Sequence, residues 1–191
     1  MDKQQNKYVF YLKTGVFYLM AFALAFYIVI SVVVPDNVVN IIGFKPYVVM
    51  TQSMEPKIKA NDLVIVKKYD IEELKKGDII TFEVDYDFDG NKDVVTHYVF
   101  SKTKGLDDRY TIRTNPYFEE GEEIIPDFWA LSEESILGEY SFHIPWVGTL
   151  ILFLQSPFGI AAMVVNVGVI VAVVVMIKQG KKEEQTIDKE E

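Results

Sequence analysis

Residues 15–34 contain no charged side chain, and this run constrains the fold more than any other feature of the sequence. About 20 residues at ~1.5 Å rise per residue give a helix of ~30 Å, which matches the hydrocarbon core of a bilayer. A cleavable secretion signal has a shorter apolar core followed by small residues at a cut site, whereas Val-Val-Val-Pro stands at residues 32–35. The sequence therefore predicts a membrane-spanning helix over residues 15–34.

A second uncharged run, residues 159–177, is of similar length, although Asn166 needs a hydrogen-bond partner or a polar surface in an apolar medium. We expect residues 158–178 to form a second transmembrane helix. The outer flanks of the two runs carry lysines, namely Lys3, Lys7 and Lys13 before the first and Lys178, Lys181 and Lys182 after the second. Because lysine and arginine accumulate on cytoplasmic flanks, both termini, including residues 1–14, are predicted to be cytoplasmic in a two-span protein of the cell membrane.

The charge of the chain excludes one class of partner. The formal net charge is -9 at pH 7, with acidic residues concentrated at 119–123 and near the C-terminus. Nucleic-acid binding needs clustered cations, so no nucleic-acid partner is expected. Residues 179–191 are charged and almost free of apolar side chains, which predicts a disordered cytoplasmic tail. The chain has no cysteine, so a domain outside the cytoplasm must be held by its core without disulfides.

Residues 35–157 differ from both ends, because short runs rich in β-branched and aromatic residues alternate there with turn residues. The predicted strands cover residues 47–51, 63–68, 79–84, 94–101, 110–114 and 136–142. Proline, glycine and asparagine between these runs are typical of turns. The pattern predicts a mainly β fold: a small β-barrel or sandwich-like extracytoplasmic domain, flanked by N- and C-terminal transmembrane helices.

The chain has two histidines, His97 and His143, so histidine-dependent chemistry has few candidates. His97 lies in a predicted strand, where alternation of side chains places it on one face with Val95 and Val99. An imidazole on an apolar face is either a hydrogen-bonded structural histidine or a catalytic or metal-binding group. His143 lies near the second apolar run, where a structural or interfacial role is expected.

Ser53 stands where an apolar strand breaks into a proline turn, in Val-Met-Thr-Gln-Ser-Met-Glu-Pro at residues 49–56. Such a turn exposes a hydroxyl, although serine at a strand end is also ordinary turn chemistry. The residues around the serine carry more information than the serine itself. Residues 51–56 resemble the Ser-Gly-Ser-Met-Glu-Pro box of the type I signal peptidases.

The resemblance continues in order along the chain. Lys-Gly-Asp-Ile-Ile at 76–80 is similar to the family's Gly-Asp-Ile strand, and Val-Thr-His at 95–97 is similar to the Val-Thr-His of its archaeal and endoplasmic-reticulum-like branch. Pro-Asp-Phe-Trp at 126–129, Ile-Leu-Gly at 136–138 and Ile-Pro-Trp-Val-Gly at 144–148 resemble the later Pro-Asp-Pro-Trp, Ile-Gly and Ile-Pro-x-x-Gly segments. The likeness therefore covers nearly the whole predicted outer domain.

The resemblance implies acyl transfer by a membrane-anchored serine endopeptidase whose catalytic domain is the β domain. Ser53 attacks the scissile carbonyl, and His97 removes the serine proton and later protonates the leaving amine. The other branch of the family uses a lysine base, so His97 at the matching position favours the histidine form, with a Ser–Lys peptidase as the alternative. The oxyanion is expected to meet the backbone N–H of Ser53 and the hydroxyl of Thr51, which is otherwise an ordinary strand threonine.

One motif departs from the family pattern. Where the family usually has Thr-Lys-Gly-Asp-Ala-Asn, residues 112–117 read Ile-Arg-Thr-Asn-Pro-Tyr, so Asn115 replaces the aspartate. Asparagine forms hydrogen bonds but carries no charge to stabilise an imidazolium. We therefore expect Asp127 to orient His97, with Asn115 as a helper; the alternative is that Asp127 is a solvated loop carboxylate. The same departure supports a second hypothesis, a catalytically lapsed signal-peptidase-like protein that binds exported peptides without cutting them.

Residues 85–93, Asp-Tyr-Asp-Phe-Asp-Gly-Asn-Lys-Asp, imitate the start of a calcium loop, but the twelfth position, which should be a bidentate glutamate, is Thr96. A charged hairpin turn is therefore expected there, and no metal or other cofactor is predicted. The partners that the family resemblance implies are the signal peptides of exported preproteins, cut after small residues, together with the lipid bilayer and the secretion translocon.

Overall fold

The structure is a computed structural model that describes the backbone of residues 3–187 and the side chains of residues 7–35 and 37–178. The chain divides into two compact units, Met1–Ile144 and Pro145–Glu191. The first unit contains a long N-terminal helix and the β-sheet, and the second contains two helices. All the candidate site residues lie in the first unit.

The N-terminal helix, α1, spans Lys3–Val33 and is followed by a 3₁₀ turn and a short helix, α2 (Val38–Ile42). Its segment Lys7–Val33 has a mean hydropathy of 2.5 and is long and apolar enough to cross a membrane. The helix begins well before residue 15 because no glycine or proline interrupts the preceding residues. It ends before Pro35, since the residue that precedes a proline is disfavoured in the helical region.

The sheet found in the described residues has seven strands in the order β1-β2-β7-β3-β4-β5-β6, and neighbouring strands are antiparallel. The strands are β1 (Phe44–Val48), β2 (Leu63–Lys67), β3 (Ile79–Val84), β4 (Asp93–Lys104), β5 (Tyr110–Asn115), β6 (Leu131–Ser132) and β7 (Ile136–Ile144). The sheet curls into a half-barrel. The prediction of a mainly β domain flanked by long apolar helices is therefore confirmed.

Most observed strands match the predicted ones to within three residues at each end, and β1 and β6 depart most from the prediction. β1 begins at Phe44 and ends at Val48, so Thr51 lies in the following loop rather than in a strand. The earlier start is possible because β1 is an edge strand, and edge strands tolerate a proline such as Pro46. The short β6 lies outside the predicted strands because so few residues carry no periodic pattern, and its existence depends on pairing with β5.

Strand β3 is buried on both faces. Ile80 and Phe82 belong to one hydrophobic cluster, whereas Ile79 belongs to a second. Side chains alternate between the faces of a strand, so the burial of four consecutive residues, Ile79 to Phe82, means that both faces are covered. The first cluster also contains the two valines of β4 that flank His97 on its own face, which places His97 beside this core.

The second unit consists of α3 (Val147–Gln155) and α4 (Pro157–Ile187). Residues Pro157–Lys178 have a mean hydropathy of 2.9 and are also long and apolar enough to cross a membrane. The Nδ2 of Asn166 donates to the carbonyl O of Ala162 at 2.8 Å, which is the partner that an amide in an apolar helix needs. The two long apolar helices fit a membrane protein.

The backbone of α4 continues to Ile187, into the segment for which disorder is predicted. Lysine, glutamate and glutamine are good helix formers, and a helix that has already formed is extended at low cost. Residues 188–191, the end of the predicted tail, lie outside the described residues.

Gly138 of β7 lies against the backbone of β2. A Cβ at this position would lie 2.8 Å from the carbonyl O of Lys67 and 2.9 Å from Cγ2 of Val66. Gly138→Ala is therefore expected to push the strands apart and to lower the free energy of unfolding by about 1–3 kcal/mol. Thermal unfolding measures the loss. Gly15→Ala, whose Cβ would meet nothing within 4 Å, is the control; an unchanged unfolding temperature for Gly138→Ala would contradict the close approach.

Candidate active site

Ser53 lies in the segment that connects β1 to β2, in a turn held by the buried side chains on its C-terminal side. Met54 is 1% exposed and Ile58 is fully buried, and both belong to the second hydrophobic cluster. The N–H of Ile58 donates to the carbonyl O of Met54 at 3.0 Å, and the N–H of Tyr117 donates to the carbonyl O of Ser53 at 2.9 Å. The backbone of the serine is thus fixed from two directions.

His97 lies in β4 and is 4% exposed. Its ring packs edge-to-face against Phe82, with 6.2 Å between ring centroids, and is stacked with Trp129 at 6.0 Å. The predicted position of His97 on the valine-bearing face of the strand is what brings it against these rings. Aromatic packing restricts the imidazole to a narrow range of orientations.

Both nitrogens of His97 have a side-chain partner. Nε2 lies 2.8 Å from Oγ of Ser53, and Nδ1 lies 2.7 Å from Oδ2 of Asp127. An ionised carboxylate only accepts, so with Asp127 ionised the Nδ1–H donates to it. For neutral His97, Nε2 is then left as the acceptor for the serine hydroxyl. This is the geometry of a Ser–His–Asp triad.

Asp127 belongs to the long loop between β5 and β6, and strand β5 holds it at several points. The N–H of Asp127 donates to the carbonyl O of Thr114 at 2.7 Å, and the Thr114 hydroxyl donates to Oδ2 of Asp127 at 2.6 Å. Nη2 of Arg113 donates to the carbonyl O of Asp127 at 2.7 Å. The Asp127 side chain is 9% exposed, so it is largely buried rather than the solvated loop carboxylate of the alternative reading.

Asn115, the other residue considered as a partner of His97, is 2% exposed, and its Nδ2 donates to the carbonyl O of Pro116 at 2.8 Å. Its backbone pairs with β4 opposite Tyr98. The structure therefore brings Asp127, rather than Asn115, to the imidazole.

The hydroxyl of Thr51 lies beside the nucleophile. Its Oγ1 is 3.0 Å from Oγ of Ser53, and the Thr51 side chain is exposed in the loop. Among the described residues, the side-chain partners of the Ser53 hydroxyl are Thr51 and His97, and no lysine hydrogen-bonds to it. This arrangement favours histidine over lysine as the proton acceptor.

His143 belongs to a separate cluster. Its Nδ1 lies 2.8 Å from the hydroxyl of Tyr140, and its Nε2 lies 3.7 Å from Oδ2 of Asp62. Burial raises the pKa of Tyr140, while the nearby Lys57 ammonium opposes the shift. The cluster fits the structural role expected for His143.

Asp85, Asp87 and Asp89 place one carboxylate oxygen each within 4.8 Å of the others. Backbone N–H groups of the same turn use these side chains: Gly90 donates to Asp85 and Asn91 donates to Asp89. The Asn91 side-chain amide is also the largest cause that lowers the pKa of Asp89. Thr96, at the twelfth position of the calcium-like pattern, is buried and bonded to Thr81, so it does not complete a calcium loop.

Three residues that support the site were not assigned a role from the sequence: Arg113, Thr114 and Trp129. Arg113 and Thr114 give no sequence signal, because their function depends on which loop crosses β5. Trp129 does give a sequence signal, the Asp-x-Trp spacing, because residues two apart in an extended segment point to the same side, which places Trp129 beside Asp127. The Nε1–H of Trp129 donates to Oγ1 of Thr114 at 3.0 Å.

The fold and the site together define a class of protein: a curled β-sheet, preceded and followed in the sequence by a long apolar helix, that carries a serine, a histidine and an aspartate in hydrogen-bond contact. The family model described as "Signal peptidase, peptidase S26" matches residues 17–99, a range that includes most of α1 and both Ser53 and His97. This match supports the assignment of the chain to the type I signal peptidase family. A search of curated proteins found no match. The family predicted from the motifs is therefore confirmed, whereas the Ser–His branch stays a prediction.

Proposed function

We propose that this chain is a membrane-bound signal peptidase I, a serine endopeptidase that removes N-terminal signal peptides from exported preproteins after small residues. The observation that carries the proposal is the series Ser53–His97–Asp127, with 2.8 Å between Oγ and Nε2 and 2.7 Å between Nδ1 and Oδ2. A neutral serine is a weak nucleophile, and a base within hydrogen-bond distance activates it. The family match supports the peptidase class.

In the proposed reaction, Oγ of Ser53 forms a bond to the scissile carbonyl carbon while its proton moves to Nε2 of His97. His97 then gives this proton to the leaving amine as the C–N bond breaks, and the signal peptide remains as an ester on Ser53. A water molecule attacks the ester with His97 again as the base, and the returned proton releases the serine. Asp127 holds the imidazole in the required tautomer and stabilises the imidazolium that forms.

The tetrahedral intermediate carries an oxyanion that needs hydrogen-bond donors. The backbone N–H of Ser53 and the hydroxyl of Thr51 are the proposed donors, and the position of Thr51 Oγ1, 3.0 Å from Ser53 Oγ, supports this role. The loss of one such donor typically costs ~3 kcal/mol of transition-state stabilisation.

We also propose a location for this chemistry. The helices near residues 15–34 and 158–178 cross the cell membrane with both termini in the cytoplasm, because lysines flank their outer ends. Residues 35–157 then lie outside, where preproteins emerge from the secretion translocon. The substrate binds as an extended segment along a strand edge, with small residues beside the cut in shallow pockets.

The rival hypothesis is a lapsed relative that binds exported peptides without cutting them. Its support was the missing aspartate at position 115, but a buried carboxylate, that of Asp127, contacts His97 from another segment. The test uses the purified full-length protein in lipid vesicles with a panel of preproteins whose signal peptides end in small residues. The expected result is a product with a new N-terminus directly after a small residue. Saturable binding of folded protein to these preproteins without any product would support the rival hypothesis instead.

Asp127→Asn is expected to lower kcat by about 10⁴-fold, because an asparagine amide can donate to Nδ1 and so stabilises the wrong tautomer of His97. Single-turnover cleavage with excess enzyme measures the loss. Asn115→Ala is the comparison, since its side chain bonds to Pro116 rather than to His97; it is expected to lose less than about tenfold in kcat. The reverse order of effects would assign the orienting role to Asn115.

A further inference from the structure

We propose that Thr114 and Trp129 form a hydrogen-bonded chain that positions Asp127 against His97. The inference rests on the proposed function, because the positioned carboxylate is the third member of the proposed triad. Neither residue hydrogen-bonds to Ser53, whose hydroxyl attacks the substrate carbonyl in the proposed reaction. Both are therefore positioning residues rather than catalytic ones. Both residues act by holding Asp127 in place, and Trp129 also acts by stacking on the imidazole ring of His97.

The direction of each hydrogen bond in this chain follows from chemistry. A tryptophan N–H only donates, and an ionised carboxylate only accepts. The Thr114 hydroxyl, which lies between them, must therefore accept from Nε1 of Trp129 at 3.0 Å and donate to Oδ2 of Asp127 at 2.6 Å. Oδ2 also accepts from Nδ1 of His97 at 2.7 Å. The hydroxyl has one orientation, and with it the carboxylate is fixed in rotation.

Asp127 needs such support because it lies in a loop rather than in a strand. Thr114 is fully buried in β5 and paired with β4 through Val99, so it is a rigid anchor. It holds Asp127 twice, since its carbonyl O accepts the Asp127 N–H at 2.7 Å and its hydroxyl donates to the carboxylate. The loop residue is thereby fixed to the sheet that carries His97.

Trp129 links the same anchor to the base. Its indole stacks on the His97 ring with an interplanar angle of 24° and a centroid distance of 6.0 Å, while its N–H reaches Thr114. Movement of the indole would therefore disturb the imidazole and the Asp127 support together. Through these two contacts, the Trp129 side chain helps to set the position of the Asp127 carboxylate relative to the His97 ring.

A purely structural threonine would not need this pattern. Valine has nearly the same shape as threonine, and a buried hydroxyl costs free energy unless it is hydrogen-bonded. The hydroxyl of Thr114 uses its proton on a carboxylate that faces His97, which is a charge-assisted and therefore stronger bond. Thr81 is an instructive contrast within the same sheet, because it is equally buried and its hydroxyl bonds to Thr96 at 2.9 Å, outside the triad.

The experiment compares Thr114→Val, Thr114→Ser and the matched control Thr81→Val, all as full-length protein in lipid vesicles. Thr114→Val is expected to lower kcat for preprotein cleavage by about 10- to 100-fold while KM changes by less than about twofold, because misplacement of a catalytic group affects the chemical step. Thr114→Ser keeps the hydroxyl and is expected to restore kcat to within about threefold of the wild type. Thr81→Val is expected to lower the unfolding temperature less than Thr114→Val does, because it removes a bond between two neutral hydroxyls, and to retain the wild-type kcat.

A double-mutant cycle separates positioning from general weakening of the fold. If Thr114 acts through Asp127, Thr114→Val added to Asp127→Ala lowers the single-turnover rate by less than about twofold further, since residues that act as a unit are not additive. Trp129→Phe, which keeps a stacking ring but removes the N–H, is expected to lower kcat less than Thr114→Val does.

Two kinds of failure are distinguishable. The positioning role would be overturned, and the proposed function left intact, if the wild type cleaves preprotein and Thr114→Val has an unchanged kcat. The same conclusion would follow if Thr114→Val lowers the rate as much in the Asp127→Ala background as in the wild type. Folded wild-type protein that cleaves no preprotein would overturn the proposed function and this inference with it.

Discussion

Ser53→Ala is expected to lower kcat for preprotein cleavage by about 10⁶-fold, because the variant has no nucleophile to form the ester intermediate. The change removes one oxygen from a half-buried side chain, and Met54 and Ile58 still anchor the turn in the second hydrophobic cluster. The unfolding temperature should therefore stay close to that of the wild type. Residual cleavage is to be measured with excess enzyme over preprotein, so that a slow single turnover is detected.

Ser141→Ala provides the matched control for this result. Ser141 lies in β7 and its side chain is exposed, and the substitution removes the same oxygen atom. It is expected to cleave at the wild-type rate. Cleavage by Ser53→Ala at a rate within about tenfold of the wild type would mean that another group is the nucleophile, and the proposed mechanism would then be wrong.

His97→Ala is expected to have an effect of similar size, about 10⁶-fold in kcat, because the other side-chain partner of Ser53 Oγ, the Thr51 hydroxyl, is too weak a base to take up its proton. The substitution also leaves the largely buried Asp127 carboxylate without its imidazole partner, which destabilises the fold. A second variant, His97→Gln, therefore accompanies it: the glutamine amide donates hydrogen bonds but cannot carry the proton between serine and leaving amine. Both variants are expected to be inactive, and His97→Gln is expected to be the more stable of the two.

The other histidine makes this experiment specific. His143→Ala removes the same kind of side chain from the cluster with Tyr140 and Asp62, away from the hydrogen bonds of Ser53. It is expected to retain cleavage, with a loss confined to thermal stability. Activity in His97→Ala together with inactivity in a folded Lys→Ala variant of the middle domain would instead support a Ser–Lys peptidase.

Local patterns predicted much of the fold. The first uncharged run is helical as far as Val33 and the second lies within α4, since an apolar run of bilayer length has few stable alternatives to a helix. The predicted strand at 79–84 has the observed bounds, because alternation and flanking turns are properties of the strand itself. By contrast, β1 starts earlier than predicted and β6 lies outside the predicted strands, because an edge position and a pairing partner are set by the rest of the sheet.

For the candidate site, the assignment of roles to Ser53 and His97 depended on the family resemblance of the short motifs that contain them, because a serine in a turn or a histidine in a strand is by itself equally consistent with a structural role. Thr51 also lies beside Ser53, although in a loop rather than in the predicted strand. The alignment of motifs along the chain predicted the family, which the match over residues 17–99 bears out. Sequence alone therefore predicted the class of protein and named all three members of the hydrogen-bonded series, although for the third it left Asn115 as a rival to Asp127.

The tertiary structure decided which side chain faces His97. In sequence, Asn115 and Asp127 were both candidates, since nothing local shows where a long loop crosses a sheet. The loop is fixed by contacts between segments, above all the two hydrogen bonds between Thr114 and Asp127, one donated by each residue, and the stacking of Trp129 on His97. Secondary structure follows from periodicities that any stretch of chain carries, whereas the direction of a hydrogen bond between distant residues exists only after the sheet has brought them together.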